Sequence, residues 1–311
     1  MSVLSLIRIV SFALTIGVAA LAGKHFSEVV AIIATVHYVV ALVYSKRQLR
    51  NALSKPVAAA LTGALSLSSV AMYLAKIKVS FVFAPHHVFN EVYIEKSELF
   101  RGKENQVKWF IWSAVFLNAA LYFAILGQGA ATDVLIYSPS VTTPWLAVGA
   151  VLFLAALIGI RSVLTPRLLL SACTLELLAV AAIVIGQHSK ITIWHIVMYH
   201  ITMWGLYPLY KMWKPGNLRP ACNYVGLTVA LLVVSWLTSS LSILPWHMTK
   251  VFMREQFFLL SLFHIMSSVF LSKAQPEWIW RIFQPAGSFI TSMGAHVSAE
   301  TRQPQTASLS G

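Results

Sequence analysis

The chain has 311 residues, of which 58% are hydrophobic and 11% charged, with a mean hydropathy of +0.74. A soluble globular chain carries about 25% charged residues, so this composition excludes an ordinary soluble enzyme and predicts an integral membrane protein. The net charge of +13 raises nucleic acid as a partner, but the placement of the cations argues against it. The two cysteines, Cys173 and Cys222, lie in or beside apolar runs and form no metal-binding or disulfide pattern.

A transmembrane helix needs about 20 mostly apolar residues. The N-terminal run has the look of a signal peptide, but nearly all that follows is equally apolar, so it reads as a retained first helix. Runs of spanning type lie near 3–22, 27–45, 56–75, 109–127, 145–164, 168–186, 191–210, 221–243 and 256–272. A tenth, 79–94, is short for a span. The predicted fold is therefore an all-α transmembrane helix bundle of about ten spans over residues 1–272. An interfacial segment and a disordered cytoplasmic tail follow over 273–311. With both termini cytoplasmic, 17 of the 23 Lys and Arg residues fall on the inner side, Arg8 among them. That split follows the positive-inside rule and makes the basic charge a topology signal, with the loop 128–144 outside. The expected location is a bacterial inner membrane, with the lipid bilayer as the partner. The sequence leaves open a homo-oligomer or a partner membrane subunit.

The stretch "FVFAPHHVFNEVYIEK" (81–96) places His86, His87, Asn90 and Glu91 inside an apolar helix. Ionisable groups at membrane depth are costly and mark functional sites. His37, Glu176, His195, His200 and His264 lie at similar depth in other runs, whereas His25, His188 and His247 sit at the outer boundary and His296 in the tail. No well-buried arginine or lysine is expected beside them. Several imidazoles with one or two carboxylates form a donor set suited to iron, copper or zinc.

Helical residues four apart share a face. His87 and Glu91 can thus reach one ion, while His86 and Asn90 lie about 100° around the helix. Pro85 is positioned to break or kink the helix before them. His195 and His200 are five apart and cannot chelate one ion from a straight helix, so His200 is the expected ligand. The expected metal set is His37, His87, His200 and His264, with Glu91 as a fifth ligand and candidate catalytic group. His86, Asn90, Glu176 and His195 are expected to orient it. Trp194, Tyr199, Trp204 and Tyr207, on the His200 helix, read as core and interface aromatics.

Single histidines on several helices, together with "TVHYVV" at His37, "PHHVFNE" at His86 and His87 and "WHIVMYH" ending at His200, resemble the layout of the Brp/Blh family of membrane β-carotene dioxygenases. The resemblance implies non-haem ferrous iron held by intramembrane histidines. It also implies an oxygenase acting on an apolar lipid such as a carotenoid or another isoprenoid. The glycine and aspartate of the family's motifs are absent here. Two rival readings stand beside it. One is a haem-b protein with axial ligands such as His37 and His200. The other is a non-enzymatic transporter or accessory subunit.

Overall fold

The computed structural model describes residues 1–129, 137–240, 254–272 and 277–283. Asp133, His247, Lys250, Lys273, His296 and the tail beyond 283 lie outside the described residues. Among those described there is no β-strand, and thirteen α-helices form one bundle. They are α1 (Val3–Ala22), α2 (Phe26–Tyr44), α3 (Lys46–Leu53), α4 (Pro56–Leu74), α5 (Val79–Leu99), α6 (Lys108–Gly129) and α7 (Pro139–Gly159). After these come α8 (Pro166–Ala172), α9 (Thr174–Gly186), α10 (Ile193–Met212), α11 (Arg219–Ser240), α12 (Arg254–Leu271) and α13 (Glu277–Phe283).

The helices start where local chemistry permits. Ser2 caps α1 by accepting from the Ser5 N–H, and Thr165 caps α8 through the Leu168 N–H. Proline occupies the first turn of α4, α7 and α8, where its missing N–H costs nothing. Gly23 ends α1 at φ 53°, a conformation open to glycine.

Direction follows from side-chain neighbours. Leu4 and Ile7 of α1 pack with Met203 of α10, and Phe26, at the start of α2, stacks 4.7 Å from His195 at the start of α10. Val36 and Val40 then pack with Leu209 and Met212. The chain therefore reverses at Gly23–His25, and α1 and α2 run along α10 in opposite directions.

By length and apolarity alone, five segments can cross a membrane, with Val3–Tyr44 counted as one, and six if the α8–α9 pair, bent by 47°, is a single broken span. The expected ten spans are not supported on that criterion. One reason is the hairpin just described. Another is polarity: α5 carries Glu91, Glu95, Lys96 and Glu98, and the apolar part of α12, Phe257–Leu271, is short. The short tenth run is in fact a 21-residue helix, and Pro85 neither breaks it nor ends it. Two short helices flank the long ones. The amphipathic α3 presents Lys46, Arg47 and Arg50. In the expected interfacial segment, α13 lies against α12 through Phe283 and Phe270.

Large apolar side chains face outward, including Leu21, Val57, Leu67, Leu74 and Val151. So extensive an apolar exterior suits lipid rather than water.

Candidate metal centre

Four imidazoles close a ring at the centre of the bundle. Centroid distances are 5.1 Å from His37 to His264, 5.3 Å from His264 to His86, 4.8 Å from His86 to His200 and 6.2 Å from His200 to His37. They come from α2, α12, α5 and α10. Each of His37, His200 and His264 offers one nitrogen, and these three atoms lie within 4.8 Å of one another. His86 Nε2 is 3.1 Å from His200 Nε2, and its Nδ1 is 2.8 Å from Ser268 Oγ of α12.

Asn90 reaches His86 with its amide nitrogen at 3.2 Å and accepts from Ser272 at 3.1 Å. The i, i+4 pairing of His86 with Asn90 thus exists, and it is tied to α12. It also turns His86 into the ring beside His264, a position the sequence reading gave to His87.

His87 stands on the other side of His200. Its Nδ1 lies 3.4 Å from His200 Nδ1, and its ring neighbours are Phe83, Tyr122 and Tyr199. His87, Glu91 and His200 form a second group whose potential ligand atoms lie within 4.8 Å of one another. The expected five-residue set is therefore brought together as two groups sharing His200.

Glu91 is not free to act as a simple fifth ligand. Arg8 Nε donates to Glu91 Oε2 at 3.2 Å, Arg8 Nη2 to the Glu91 carbonyl at 2.8 Å, and Arg8 Nη1 to Glu95 Oε2 at 2.7 Å. All three side chains are shut off from the surface, with Arg8 and Glu91 at 0% exposure. Arg8 thus corrects two expectations: it is not a cation at the inner boundary, and a well-buried arginine does accompany the histidines. Both carboxylates engage it, since a buried charge without a partner is very costly.

Glu176 and His195 also take other places than expected. Glu176 accepts from Asn118 Nδ2 at 2.7 Å and orients no histidine. His195 closes a capping box at the start of α10, its Nδ1 accepting from the Thr192 N–H at 3.1 Å. Of the four aromatics singled out on α10, Trp194 and Tyr199 are buried. Tyr207 donates to Glu98 at 2.7 Å, close to the C-terminal end of α10 where Lys211 pairs with the same carboxylate.

Two cavities adjoin the imidazoles. One of about 80 Å³ is bordered by Thr15, His87, Glu91, Asn118, Tyr122 and Tyr199, enough for a few waters or an ion. Glu91 Oε1 and Tyr199 Oη are buried there, and the two side chains interact with each other. The other, about 580 Å³, is lined by aromatic and aliphatic side chains including Tyr38, Phe83, Trp194 and Phe257, with Lys76 and Lys78 among its lining. It abuts the ring through Tyr38, which stacks on His264 at 4.3 Å and bonds to Ser261 at 2.9 Å. Phe83 abuts it as well, 5.3 Å from His200.

No protein-family model matches this chain, and neither a curated protein nor a solved structure matches it.

Sequence reasoning missed Arg8 and Glu95. A readable signal existed for both. Arg8 is the one charge in the first apolar run, and 87, 91 and 95 recur every four residues along one stripe of α5.

Proposed function

We propose that this chain is an integral membrane protein holding a histidine-ligated transition-metal ion, and that it oxidises an apolar lipid. The observation that carries the reading is the group His37, His200 and His264, three nitrogens from three helices within 4.8 Å of one another. First-row metals bind imidazole at about 2.0–2.1 Å, taking zinc as the guide. Nitrogens that share an ion then lie roughly 3–4.2 Å apart, so closure of the ring by a few tenths of an ångström suffices. His86 completes the ring or orients it through Ser268 and Asn90. Ferrous iron is the ion that fits an oxygenase: a facial set of neutral ligands with open positions supplies O₂ chemistry. A carotenoid or another isoprenoid is the proposed substrate class, in line with the Brp/Blh resemblance. The 580 Å³ aromatic-lined cavity has the size and lining of a ligand site for such a chain.

Ten passes across a bacterial inner membrane accompany this reading. α1 and α2 form a hairpin, α5 and α10 fail the apolarity test because they carry polar groups of the site, and the apolar part of α12 fails it on length. A haem reading is less favoured, since a macrocycle between His37 and His200 needs the space that His86 and His264 fill. A proton-transport reading draws on the buried Arg8, Glu91 and Glu95, but it gives no role to the closed ring of imidazoles.

Elemental analysis of the purified protein tests the proposal. A stoichiometric first-row metal is expected in the full chain, with His200→Ala and His264→Ala reducing ring occupancy at least tenfold. Metal-free protein, or retention of the ion in both variants, overturns it. A Soret band in the wild-type spectrum decides for haem instead.

A further inference from the structure

Arg8 saturates only part of Glu91. It engages Oε2 and the backbone carbonyl, while Oε1 is buried beside the small cavity that His87 also borders. The Tyr199 hydroxyl borders the same cavity and interacts with the Glu91 carboxylate. A carboxylate oxygen accepts more than one such bond, so Glu91 and the His87 imidazole still present electron pairs to one small space.

The two nitrogens of His200 face opposite neighbours. Nε2 lies 3.1 Å from His86, whose ring adjoins His264, and Nδ1 lies 3.4 Å from His87. We propose that His87, Glu91 and His200 hold a second divalent transition-metal ion, with His200 presenting one ring nitrogen to each of the two ions. The inference rests on the reading of the ring as the first metal site. It commits to a cation because the donor set is two imidazoles and a carboxylate, a combination suited to zinc, copper or iron. When both ions bind, His200 loses its remaining ring proton to water, so the shared group is an imidazolate and the charge added to the interior falls by one. Arg8 then holds Glu91 in place through Oε2 and leaves Oε1 for the ion, a positioning role of the kind that outer partners of metal ligands play.

The test uses the full chain in detergent, stripped with chelator and loaded with Cu²⁺. Wild type is expected to retain two ions per chain, and its paramagnetic resonance signal is expected to be weakened by coupling through the shared imidazolate. Glu91→Gln and His87→Gln should each retain one ion with a full, uncoupled signal. His264→Ala should also retain one, and His200→Ala should lose both at least tenfold in affinity. Glu91→Gln leaves Arg8 paired with Glu95, and His87→Gln removes no ion pair, so one of the two variants stays folded if the other does not. A single wild-type ion that survives both α5 variants but not His264→Ala overturns the second site and leaves the ring reading standing. A single ion lost in the α5 variants and kept in His264→Ala overturns the ring reading and the sharing together. Two ions with uncoupled signals overturn the shared imidazole, and no retained ion overturns both readings.

Discussion

Arg8 shows how a single residue can be placed correctly along the chain and wrongly in space. It begins about 9 Å into α1 at 1.5 Å per residue, deep enough to be inside the bundle, yet a cation near a terminus reads naturally as a boundary marker. Its burial became visible only with its partners, and Glu91 and Glu95 sit more than 80 residues away. The histidines were legible one by one because each is an outlier in an apolar run. Which side of His200 each occupies was not, because that depends on how α5 is rotated against α10 and α12. The ion pairs give a direct prediction. Arg8→Met should destabilise the protein by about 3–5 kcal/mol by leaving two carboxylates buried without a cation. The triple change Arg8→Met, Glu91→Gln, Glu95→Gln should recover most of that loss. Denaturation in detergent followed by intrinsic fluorescence measures both. If Arg8→Met alone proves neutral, the buried triad is not a stabilising unit.

At the scale of elements, amphipathic phase carried more information than span length. The stripe at 86 and 90 meets Ser268 of α12 and Ser272 just after it, and the stripe at 87, 91 and 95 meets α1 and α10. Helix periodicity predicts such a division for any two stripes 100° apart. The expected break at Pro85 did not occur because α5 is packed on both sides of it, and tertiary contacts override a local preference. The α6–α7 pair was beyond sequence reasoning, since nothing in an apolar run says which neighbour it meets. Gly149 of α7 faces α6 so closely that a Cβ there would lie 3.1 Å from Leu117 Cα and 3.3 Å from the Phe116 ring. Small residues at helix interfaces in membranes allow this approach. Gly149→Val should therefore push α6 from α7 and destabilise the protein by roughly 1–3 kcal/mol, the usual range for overpacking. Because His37, His200 and His264 stand on α2, α10 and α12 and not on this pair, the metal held by that ring should not change per folded chain. A thermal shift paired with elemental analysis checks this. Loss of metal at unchanged stability contradicts the separation of the two regions.

At the scale of the molecule, the all-α bundle was legible from composition and apolar runs, but the count of passes depends on what is counted. A run can be apolar enough and still be buried, as α6 is, or apolar and turned outward, as α7 is. A helix such as α5, which buries His86, Asn90, Glu91 and Glu95, fails that test on polarity whether or not it crosses. The cation bias is independent of that test. Moving Arg8 from the inner boundary to the interior changes the split from 17 against 6 to 16 against 6, still strongly inside-positive. The helix directions agree with one another. Ser2 bonds to Ser171 in α8, Lys211 at the end of α10 pairs with Glu98 at the end of α5, and α13 lies against the end of α12. These ends therefore gather on one side, and they hold most of the cations, the side that the positive-inside rule assigns to the cytoplasm under the proposed topology. The opposite side carries the turn between α1 and α2 and the α4–α5 turn with Lys76 and Lys78. With Cys173 and Cys222 replaced by serine, a cysteine at position 133 should react with a membrane-impermeant maleimide in intact cells. One at position 103, in the turn after α5, should react only after permeabilisation. The reverse pattern inverts the topology and puts the 580 Å³ cavity, with its Lys76 and Lys78 lining, on the cytoplasmic side. Equal labelling at both positions in intact cells means that the two turns share a side and that α5 and α6 are not successive passes.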